Sequence, residues 1–415
     1  MSGTDVDVVI IGGGAAGIGA ARRLAEYNVS ILLLEASARL GGRAWTHEVA
    51  GLGLDLGCGW LHSADRNAWS RVAEEAGIVL DRRGGAWGTQ YRDLGVTPGD
   101  LAKAKQARAD WMQRLASTPP ASDRAADALV PDGEWNPYIR AIGGFVSGAS
   151  LEHLSVADYM AYDTASTGRN WRAPAGYGSL IAGSFPTRAA LRLAIPAESM
   201  GLGAQGVTVT TRVGTVRARA AVLTVSTAVL AGDAIRLPAE LDPWRRAASL
   251  LPLGRNEKLF LEIVGEGPFA SETAVFGNQR EAHTGAYYIR PFGWPVIECF
   301  FGGEGAQLVA DSGPAAGFAY AIDQLSGLFG SGVRRMLRPL IASSWSQMTR
   351  VGGAYSYALP GHAAARDVLA RPFEQRIFFA GEATNPNDFS TAHGAHDSGV
   401  RAAEQVITAL GPCPV

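Results

Sequence analysis

The stretch between residues 5 and 17 constrains this chain more than any other part of it. Residues 5–11 read DVDVVII, a β-branched run typical of a strand that is buried on both faces of a parallel sheet. A GxGxxG pattern follows directly at Gly12, Gly14 and Gly17. In this pattern the first glycine permits a tight turn, the second lets a pyrophosphate approach the backbone, and the third lets the next helix pack against the strand. The stretch therefore predicts the phosphate-binding turn of a dinucleotide site.

The residues after the glycines complete the predicted unit. Residues 15–27 are rich in Ala, Leu and Arg and predict a helix whose N-terminus faces the phosphates. Residues 29–34 (VSILLL) predict a second strand, and Glu35 follows it at the position where an acid accepts hydrogen bonds from a ribose. A solvated loop acid is the alternative interpretation of Glu35, but its position at the end of the strand favours ribose binding.

A second glycine pair, flanked by arginines, lies at residues 39–43, which read RLGGR. A simple nicotinamide dehydrogenase needs no such element. The segment resembles the RxGGR element of the flavin amine oxidase superfamily, which includes monoamine oxidases, polyamine oxidases, L-amino acid oxidases and histone demethylases of that fold. The resemblance implies that the dinucleotide is FAD and that this element lies along its pyrophosphate, since Arg binds phosphate oxygens in a fork. Residues 55–62 (DLGCGWLH) resemble the family loop that passes the flavin ring.

The C-terminal part of the chain resembles the same family. Residues 376–384 (RIFFAGEAT) predict a buried strand followed by a glycine and an acid. They resemble the second FAD signature, which implies that Glu382 meets the ribityl or pyrophosphate region. Residues 390–410 then predict a helix whose N-terminus would stabilise negative charge on the flavin pyrimidine. We interpret His393, near this N-terminus, as a histidine bonded to backbone rather than as a catalytic base.

The resemblance also implies a set of cofactor contacts. Ile195 is the candidate for the hydrophobic residue that packs against adenine, with an ordinary core isoleucine as the alternative. Ala354 stands where monoamine oxidases carry the cysteine that bonds the flavin, so FAD is predicted to be held non-covalently. The residues predicted to contact FAD are Gly12, Gly14, Ala15, Ala16, Gly17, Glu35, Ala36, Arg39, Gly41, Gly42, Arg43, Gly57, Cys58, Gly59, Trp60, Ile195, Gly381, Glu382, Thr391 and Ala392.

The resemblance further implies four residues that take part in catalysis. Residues 252–263 (PLGRNEKLFLEI) lead into an alternating strand. From this pattern Lys258 is either solvated or buried, and the family carries a lysine here that is bonded through water to flavin N5. Tyr355 matches one wall of the family's aromatic substrate cage, and Trp345 precedes it as in demethylase-like members, although core packing would also explain both. Thr391 stands where monoamine oxidases carry the second cage tyrosine, which implies a half-open cage.

Length and composition predict more than one domain. The chain has 415 residues, of which 47% are hydrophobic and 18% charged, enough for a large core. The predicted fold class is α/β, with a Rossmann-like FAD-binding domain made of discontinuous segments and a second, α+β substrate-binding domain. The FAD-binding domain is expected to comprise residues 1–80, 171–245 and 336–415, and the substrate-binding domain residues 81–170 and 246–335.

Charge and cysteine usage argue against several classes of partner. A net charge of −2 without a basic run gives no electrostatic basis for binding nucleic acid. Cys58, Cys299 and Cys413 are far apart and form no CxxC, which argues against a disulfide framework and a zinc site, and the histidines show no metal spacing. The N-terminus does not resemble a secretory signal, and no apolar run reaches membrane-spanning length. We therefore expect a cytoplasmic protein, and its oligomeric state is left open.

The predicted activity is that of a flavin-dependent amine oxidase. The resemblance implies that a small-molecule amine loses a hydride equivalent to flavin N5, that the resulting imine is hydrolysed, and that molecular oxygen leaves as hydrogen peroxide. An L-amino acid oxidase is the nearest alternative. It would need a cation for the substrate carboxylate, and the sequence does not distinguish among Arg169, Arg172 and Arg290. Another FAD-dependent dehydrogenase or desaturase and a non-catalytic flavin-binding scaffold are further alternatives.

Overall fold

A computed structural model describes residues 5–204 and 206–415 of the protein. In chain order its strands are β1 (Val6–Ile11), β2 (Ile31–Leu34), β3 (Thr46–Val49), β4 (Leu52–Asp55), β5 (Ala190–Arg192), β6 (Ala197–Gly203), β7 (Gly206–Thr211), β8 (Gly214–Leu223), β9 (Asn256–Ile263), β10 (Thr273–Phe276), β11 (Ala286–Ile289), β12 (Val296–Gly302), β13 (Leu337–Ala342) and β14 (Ile377–Phe379). Its α-helices are α1 (Ala15–Leu24), α2 (Ala68–Glu75), α3 (Pro98–Ser117), α4 (Asn136–Ser147), α5 (Val156–Ala165), α6 (Tyr177–Gly183), α7 (Thr227–Ala231), α8 (Asp242–Ser249), α9 (Glu304–Phe329), α10 (Ala365–Leu369) and α11 (Ala392–Leu410). Within the described ranges, no helix combines the length and the apolar character needed to cross a lipid bilayer.

The first sheet carries the predicted dinucleotide-binding unit. Its strand order is β5-β2-β1-β8-β7-β6, and β14 pairs with the end of β8. β1 pairs in parallel with β2 and β8, whereas β6, β7 and β8 pair in antiparallel fashion. β2 and most of β1 are buried, because α1 and α11 cover one face of the sheet and α8 and α10 cover the other. The predicted α/β fold with a Rossmann-like unit is confirmed.

A second, antiparallel sheet packs against a long helix. Its order is β10-β11-β12-β9-β13, and α9 shares a hydrophobic core with Leu259, Leu261 and Ile263 of β9. These three residues form the aliphatic face that the alternating pattern of β9 predicts. On the opposite face Phe260 packs against Leu54 of β4. β9 is therefore covered on both faces, and the polar side chains of Asn256, Glu257 and Lys258 lie inside the protein.

The helices α3, α4 and α5 form a hydrophobic core of their own. Trp111 and Leu115 of α3, Ile139 of α4 and Tyr159 of α5 share it. α4 also lies against β12 of the second sheet, where an added Cβ at Gly144 would come within 3.1 Å of the Gly302 carbonyl oxygen. The helical region is thereby fixed at the end of the second sheet that faces the first.

Strand pairing and core packing place two domain boundaries at positions that differ from the predicted ones. β13 lies after residue 336, where the last FAD-binding segment is predicted to begin, yet β13 pairs with β9 in the second sheet. Conversely, α8 lies mostly after residue 245, and Ala247 and Ala248 belong to the core beneath the first sheet. The division into an FAD-binding and a substrate-binding domain stays a prediction, with these boundaries shifted to the ends of β13 and α8.

A buried ion pair joins the helical region to the first sheet. Arg366 of α10 donates from Nε and Nη2 to the two carboxylate oxygens of Asp158 in α5, at 2.6 and 2.9 Å. Both side chains are only 2% exposed. Asp158 also accepts a hydrogen bond from the Ala358 amide, and Nη1 of Arg366 donates to Ser356 Oγ, both at 2.9 Å. Since an unpaired buried charge is costly, each partner depends on the other.

Replacing Arg366 with Met should destabilise the protein by about 3–5 kcal/mol, because the buried Asp158 carboxylate would lose this cation. The matched control is Arg140→Met. Arg140 forms a salt bridge with Glu152, and their side chains are 28% and 43% exposed, respectively. Loss of this exposed salt bridge should lower the free energy of unfolding by at most about 1 kcal/mol. Urea unfolding followed by tryptophan fluorescence measures both. Equal losses in the two variants would contradict a structural role for the buried pair.

Candidate active site

A large cavity opens at the carboxyl ends of the parallel strands in the first sheet and extends to the second sheet. Its volume is about 1250 Å³, above the roughly 300–1,000 Å³ of a typical small-molecule site, so it has room for a dinucleotide together with a substrate. Most predicted site residues line this one cavity: Gly12, Gly14, Ala15, Ala16, Glu35, Ala36, Arg39, Gly41, Gly42, Arg43, Gly57, Cys58, Gly59, Trp60, Lys258, Trp345, Tyr355, Gly381, Glu382, Thr391 and Ala392.

Gly17 and Ile195 are the predicted site residues that do not line the cavity. Gly17 lies behind the turn, where an added Cβ would come within 2.0 Å of the Gly12 carbonyl oxygen, so it serves the contact between helix and strand. The Ile195 side chain packs against the core beneath the first sheet. Among the described residues, Pro196 and Ala197 stand at the cavity wall beside it. The core-packing alternative for Ile195 thus agrees with its position, and its contact with adenine stays a prediction.

The turn after β1 has the form expected of a phosphate-binding site. Gly12 has a φ of +111°, a conformation that glycine adopts without strain. Gly14 is the N-cap of α1, and no side chain caps this helix, which leaves its first amides available to a ligand. An added Cβ at Gly14 would come no closer than 3.9 Å to its nearest neighbours, among them the Gly41 carbonyl oxygen, so the space in front of the turn is open. An anion there would accept hydrogen bonds and be stabilised by the helix dipole, and the turn thus fits a pyrophosphate.

Glu35 stands at the end of β2, and its carboxylate is anchored. The Gly13 amide donates to Oε2 and the Ser37 amide to Oε1, both at 2.6 Å. The side chain lies at the cavity wall and Glu35 is 8% exposed, so it is not the solvated loop acid of the alternative interpretation. Because each carboxylate oxygen has a second lone pair, Glu35 can still accept hydrogen bonds from ribose hydroxyls.

The two arginines of the RxGGR element have different contacts. Arg39 stacks on the Trp45 ring, 4.4 Å from its centroid, and donates to carbonyl groups of its own loop. Arg43 instead donates to the Ala354 carbonyl at 2.6 Å and to the Glu382 carboxylate at 2.9 Å. Arg39 therefore fixes the shape of the loop, whereas Arg43 connects the N-terminal and C-terminal parts of the site.

Glu382 lies at the centre of a buried hydrogen-bond network. It is 5% exposed and accepts hydrogen bonds from Arg43, from the Ser356 amide and hydroxyl at 3.2 and 2.7 Å, and from the Ser390 amide at 2.9 Å. Burial alone would raise the pKa of Glu382, but the charges of Arg43 and Arg366 and the hydrogen bonds outweigh it and lower this pKa. Glu382 is therefore an ionised anchor at the cavity wall.

Lys258 is buried, so the alternative of a solvated lysine is wrong. Its side chain is 9% exposed, and Nζ lies 2.9 Å from Oε1 of Glu298. Nζ also donates to the Asp55 carbonyl oxygen at 3.2 Å. An added Cβ at Gly59 would lie 3.1 Å from Nζ, so the loop at residues 55–62 passes directly beside the lysine. Sequence reasoning missed Glu298. The feature of the sequence that could have indicated it is that Glu298 is a single carboxylate in the otherwise apolar strand β12.

Tyr355 and Trp345 are held at the cavity wall by hydrogen bonds to backbone. The Tyr355 hydroxyl donates to the Phe145 carbonyl oxygen at 2.7 Å, and burial raises the pKa of Tyr355 well above its usual value, so the phenol stays neutral. Trp345 Nε1 donates to the Leu56 carbonyl oxygen at 2.9 Å. Trp345 is buried, Tyr355 is partly buried, and both line the cavity. The core-packing alternative therefore applies to Trp345, and both residues lie where the resemblance predicts them.

Aromatic side chains make up much of the cavity wall. The aromatic lining residues are Trp60, Trp87, Tyr138, Phe145, Tyr162, Phe276, Phe300, Trp345 and Tyr355. Phe300 of β12 lies opposite Lys258 in the register of β9 and β12. Sequence reasoning predicted Trp60, Trp345 and Tyr355, which lie in motifs. It missed the others because their segments carry no local signature and meet only when the helical region packs on the second sheet.

Thr391 caps helix α11. Its hydroxyl accepts a hydrogen bond from the Gly394 amide at 2.9 Å and donates to the Asp388 carbonyl oxygen at 2.6 Å. Because the Thr391 hydroxyl is engaged in these two hydrogen bonds, the Thr391 methyl group is the part of the side chain that can contact a ligand in the cavity. His393 next to it is 1% exposed, and its Nε2 lies 3.2 Å from the Asp388 carboxylate. The interpretation of His393 as bonded to backbone is thus corrected to a histidine facing a carboxylate, and it does not line the cavity.

Cys58 lines the cavity as a neutral thiol, because burial raises its pKa to about 12. It is free, as are Cys299 and Cys413. Within residues 5–204 and 206–415, no group of three or more His, Cys, Asp or Glu side chains is placed to hold a metal ion.

Comparison with known proteins gives two family matches. The model described as flavin containing amine oxidoreductase matches residues 89–407, and the model described as NAD(P)-binding Rossmann-like domain matches residues 10–76. Polyamine oxidase 2 of Arabidopsis thaliana is 26% identical over 432 residues, covering 96% of this chain and 87% of that protein. Polyamine oxidase 4 of Oryza sativa subsp. japonica is also 26% identical, over 444 residues, covering 96% of this chain and 88% of that protein. Lysine-specific histone demethylase 1 homolog 2 of Arabidopsis thaliana is 24% identical over 440 residues, with 98% of this chain but 59% of that protein covered.

Replacing Gly14 with Val should yield folded protein without FAD. The backbone at Gly14 has an extended conformation, φ −80° and ψ −174°, which valine tolerates, and an added Cβ meets open space. The branched side chain would then occupy the position of the pyrophosphate. The ratio of flavin to protein absorbance measures bound FAD, and thermal unfolding reports the fold.

Two other glycines provide controls for Gly14→Val. Gly17→Ala should reduce the amount of folded protein, because its Cβ would come within 2.0 Å of the Gly12 carbonyl oxygen. Gly183→Val should keep both fold and FAD, because an added Cβ there has no neighbour within 4 Å and the residue does not line the cavity. Full FAD content in Gly14→Val would show that this turn does not bind the phosphates.

Proposed function

The chain belongs to the flavin containing amine oxidoreductase family, whose model spans residues 89–407 of its 415, and we propose from this premise that it oxidises a small-molecule amine to an imine. It is an FAD-dependent oxidoreductase that acts on amines. Hydride transfer from the carbon next to nitrogen, oxygen as the electron acceptor and hydrogen peroxide as the second product are parts of the proposal. So are non-covalent binding of FAD and a cytoplasmic location.

The observation that carries this proposal is the surroundings of Lys258. A buried cation beside the loop at residues 55–62 lies in the same cavity as the phosphate-binding turn. Burying an ion pair such as Lys258 and Glu298 costs desolvation free energy that a well-packed apolar pair would not. A flavin-binding scaffold without turnover would have no use for such a pair, whereas an oxidase gains from it.

The chain's own residues suit this chemistry. When bound, FAD supplies the hydride acceptor and the path by which electrons reach oxygen. The Lys258 ammonium would stabilise negative charge that develops on oxygen and would hold a water molecule for hydrolysis of the imine. The rings of Tyr355 and Trp345 would orient the amine, with Thr391 leaving the opposite side of the cage open. The aromatic walls would exclude bulk water from the reacting atoms.

The cofactor should be released on denaturation. Ala354 lines the cavity and its methyl group cannot bond the flavin, so acid precipitation should leave the yellow colour in the supernatant. Cys58 is the cavity thiol that could form a bond instead, although burial keeps it protonated. Colour in the pellet would contradict non-covalent binding, and its loss in Cys58→Ser would identify the attachment point.

Replacing Lys258 with Met should leave FAD content unchanged and slow flavin reduction or reoxidation by about a hundredfold, because a preorganised charge is removed. Stopped-flow absorbance measures the two half-reactions separately. The single variant leaves the Glu298 carboxylate, 14% exposed, without its cation. The double variant Lys258→Met with Glu298→Gln removes this complication, and Glu298→Gln alone keeps the lysine. Wild-type rates in both half-reactions of the double variant would exclude Lys258 from catalysis.

A further inference from the structure

The carboxylates that line the cavity are all engaged. Glu35 binds two backbone amides, Glu382 binds Arg43 and several hydrogen-bond donors, and Glu298 is paired with Lys258. No Asp or further Glu belongs to the cavity wall within the described ranges. A substrate with a second ammonium group would thus find no free carboxylate here, and this disfavours a polyamine.

One arginine at the cavity wall lacks the partners that the others have. Arg39 and Arg43 donate to carbonyl or carboxylate oxygens, and Arg350 donates to the Ala36 carbonyl oxygen. Arg108 of α3 lines the cavity, and its Nε is buried without a hydrogen-bond partner. In the part of the chain that the structure describes, Arg108 has no carboxylate within salt-bridge distance.

The neighbours of Arg108 are neutral phenols. Burial raises the pKa of Tyr138 and of Tyr159, and the nearby Arg108 charge opposes that rise in both; a side-chain hydrogen bond from Arg108 also opposes it in Tyr159. A neutral hydroxyl compensates a guanidinium charge less than a carboxylate does. Arg108 therefore retains its capacity to bind an anion in a fork, which is the geometry that guanidinium offers to carboxylates and phosphates.

The other arginines considered for a substrate anion do not reach the cavity. Arg172 is bound to the carboxylates of Asp81 and Glu272 at 2.7 and 2.8 Å. Neither Arg172 nor Arg169 nor Arg290 is among the lining residues. The sequence alone does not say which arginine could bind a substrate anion, whereas the structure places Arg108, and not these three arginines, at the cavity wall.

A row of aromatic rings connects Arg108 to Lys258. Tyr138 packs with Ala104 and Ala107 of α3, the helix that carries Arg108, and lies 6.5 Å from Phe276 between ring centroids. Phe276 lies 5.9 Å from Phe145, and Phe145 lies 5.8 Å from Phe300, which faces Lys258 across the strand register. Tyr138, Phe145, Phe276 and Phe300, here called the aromatic row, form an apolar slot between the two cations.

We infer that Arg108 binds an anionic group of the substrate at the end of the aromatic row away from Lys258. The substrate class is then an amine with an aromatic or alkyl body and a carboxylate or similar anion remote from the nitrogen. The length of the aromatic row separates this class from α-amino acids, whose carboxylate adjoins the reacting carbon. The inference rests on the proposed amine oxidation for the nitrogen end of the substrate, and on the geometry of Arg108 for the other end.

The test uses the FAD-loaded enzyme and three probes. Phenethylamine and para-carboxyphenethylamine differ only in the carboxylate, and spermidine is a polyamine without an anion. Anaerobic flavin reduction should favour the carboxylated amine over phenethylamine, and spermidine should be the poorest. Arg108→Met keeps an unbranched apolar side chain and removes the guanidinium charge, and should lower the preference for the carboxylated amine by about tenfold to a hundredfold.

The matched control is Lys105→Met, which removes the same charge from an exposed position on the same helix outside the cavity wall. It should leave the preference for the carboxylated amine at the wild-type value. An unchanged preference in Arg108→Met, or an equal loss in Lys105→Met, would overturn the inference. So would spermidine reducing the wild-type flavin faster than the carboxylated amine.

A binding measurement separates this inference from the proposed function. Hydrocinnamate has the ring and the carboxylate but no amine, so its affinity does not depend on oxidation. Calorimetric titration of the FAD-loaded enzyme should give tighter binding to wild type than to Arg108→Met, and no such difference for Lys105→Met. If no amine reduces the flavin but hydrocinnamate binding depends on Arg108, the proposed oxidation fails and the anion site stands. If amines reduce the flavin and hydrocinnamate binds both proteins equally, the anion site fails alone.

Discussion

The structure depends on one buried carboxylate, that of Glu382. Its hydrogen bonds to Arg43, Ser356 and Ser390 hold together three parts of the chain that are far apart in sequence. Through Ser356 the network continues to Arg366 and so to the buried aspartate of α5. Because an ionised group this deep in the protein is stable only when fully paired, each of these parts is fixed relative to the others. The cavity that they enclose is therefore rigid, which the proposed hydride transfer would require.

The two ends of the cavity are built by different means. At the end formed by the glycine turn, the groups offered to a ligand come mostly from the backbone: an uncapped helix N-terminus, a glycine turn and a carboxylate anchored by amides. At the other end side chains from β9, β12, α3 and α4 supply aromatic walls and isolated charges. Backbone recognition suits a cofactor that is the same throughout a family, whereas side chains can change without disturbing the fold. The inferred selectivity for an anionic amine lies entirely in this second end.

Sequence reasoning located the cavity through short segments. The glycine turn, Glu35, the RxGGR element and the loop at residues 55–62 all line it, because a few consecutive residues determine the local backbone; their contacts with FAD stay predictions. It was weaker where the signal was a single apolar residue, as with Ile195, which packs against the core. It also misplaced the boundary at residue 336, since strand pairing between β13 and β9 joins residues about eighty positions apart in sequence and leaves no local pattern.

By itself the sequence determined the fold class, the dinucleotide turn, the acid and arginines around it, and the family. These follow from local periodicity and from glycines that particular backbone geometries require. Only the tertiary structure decided that Lys258 is buried and paired with Glu298, and that Arg108 lines the same cavity as the aromatic row. The physical reason is that burial and charge pairing are properties of neighbours in space. A strand has the same alternating sequence pattern whether its polar face is exposed to water or packs against another part of the protein. Only the tertiary packing distinguishes these two environments.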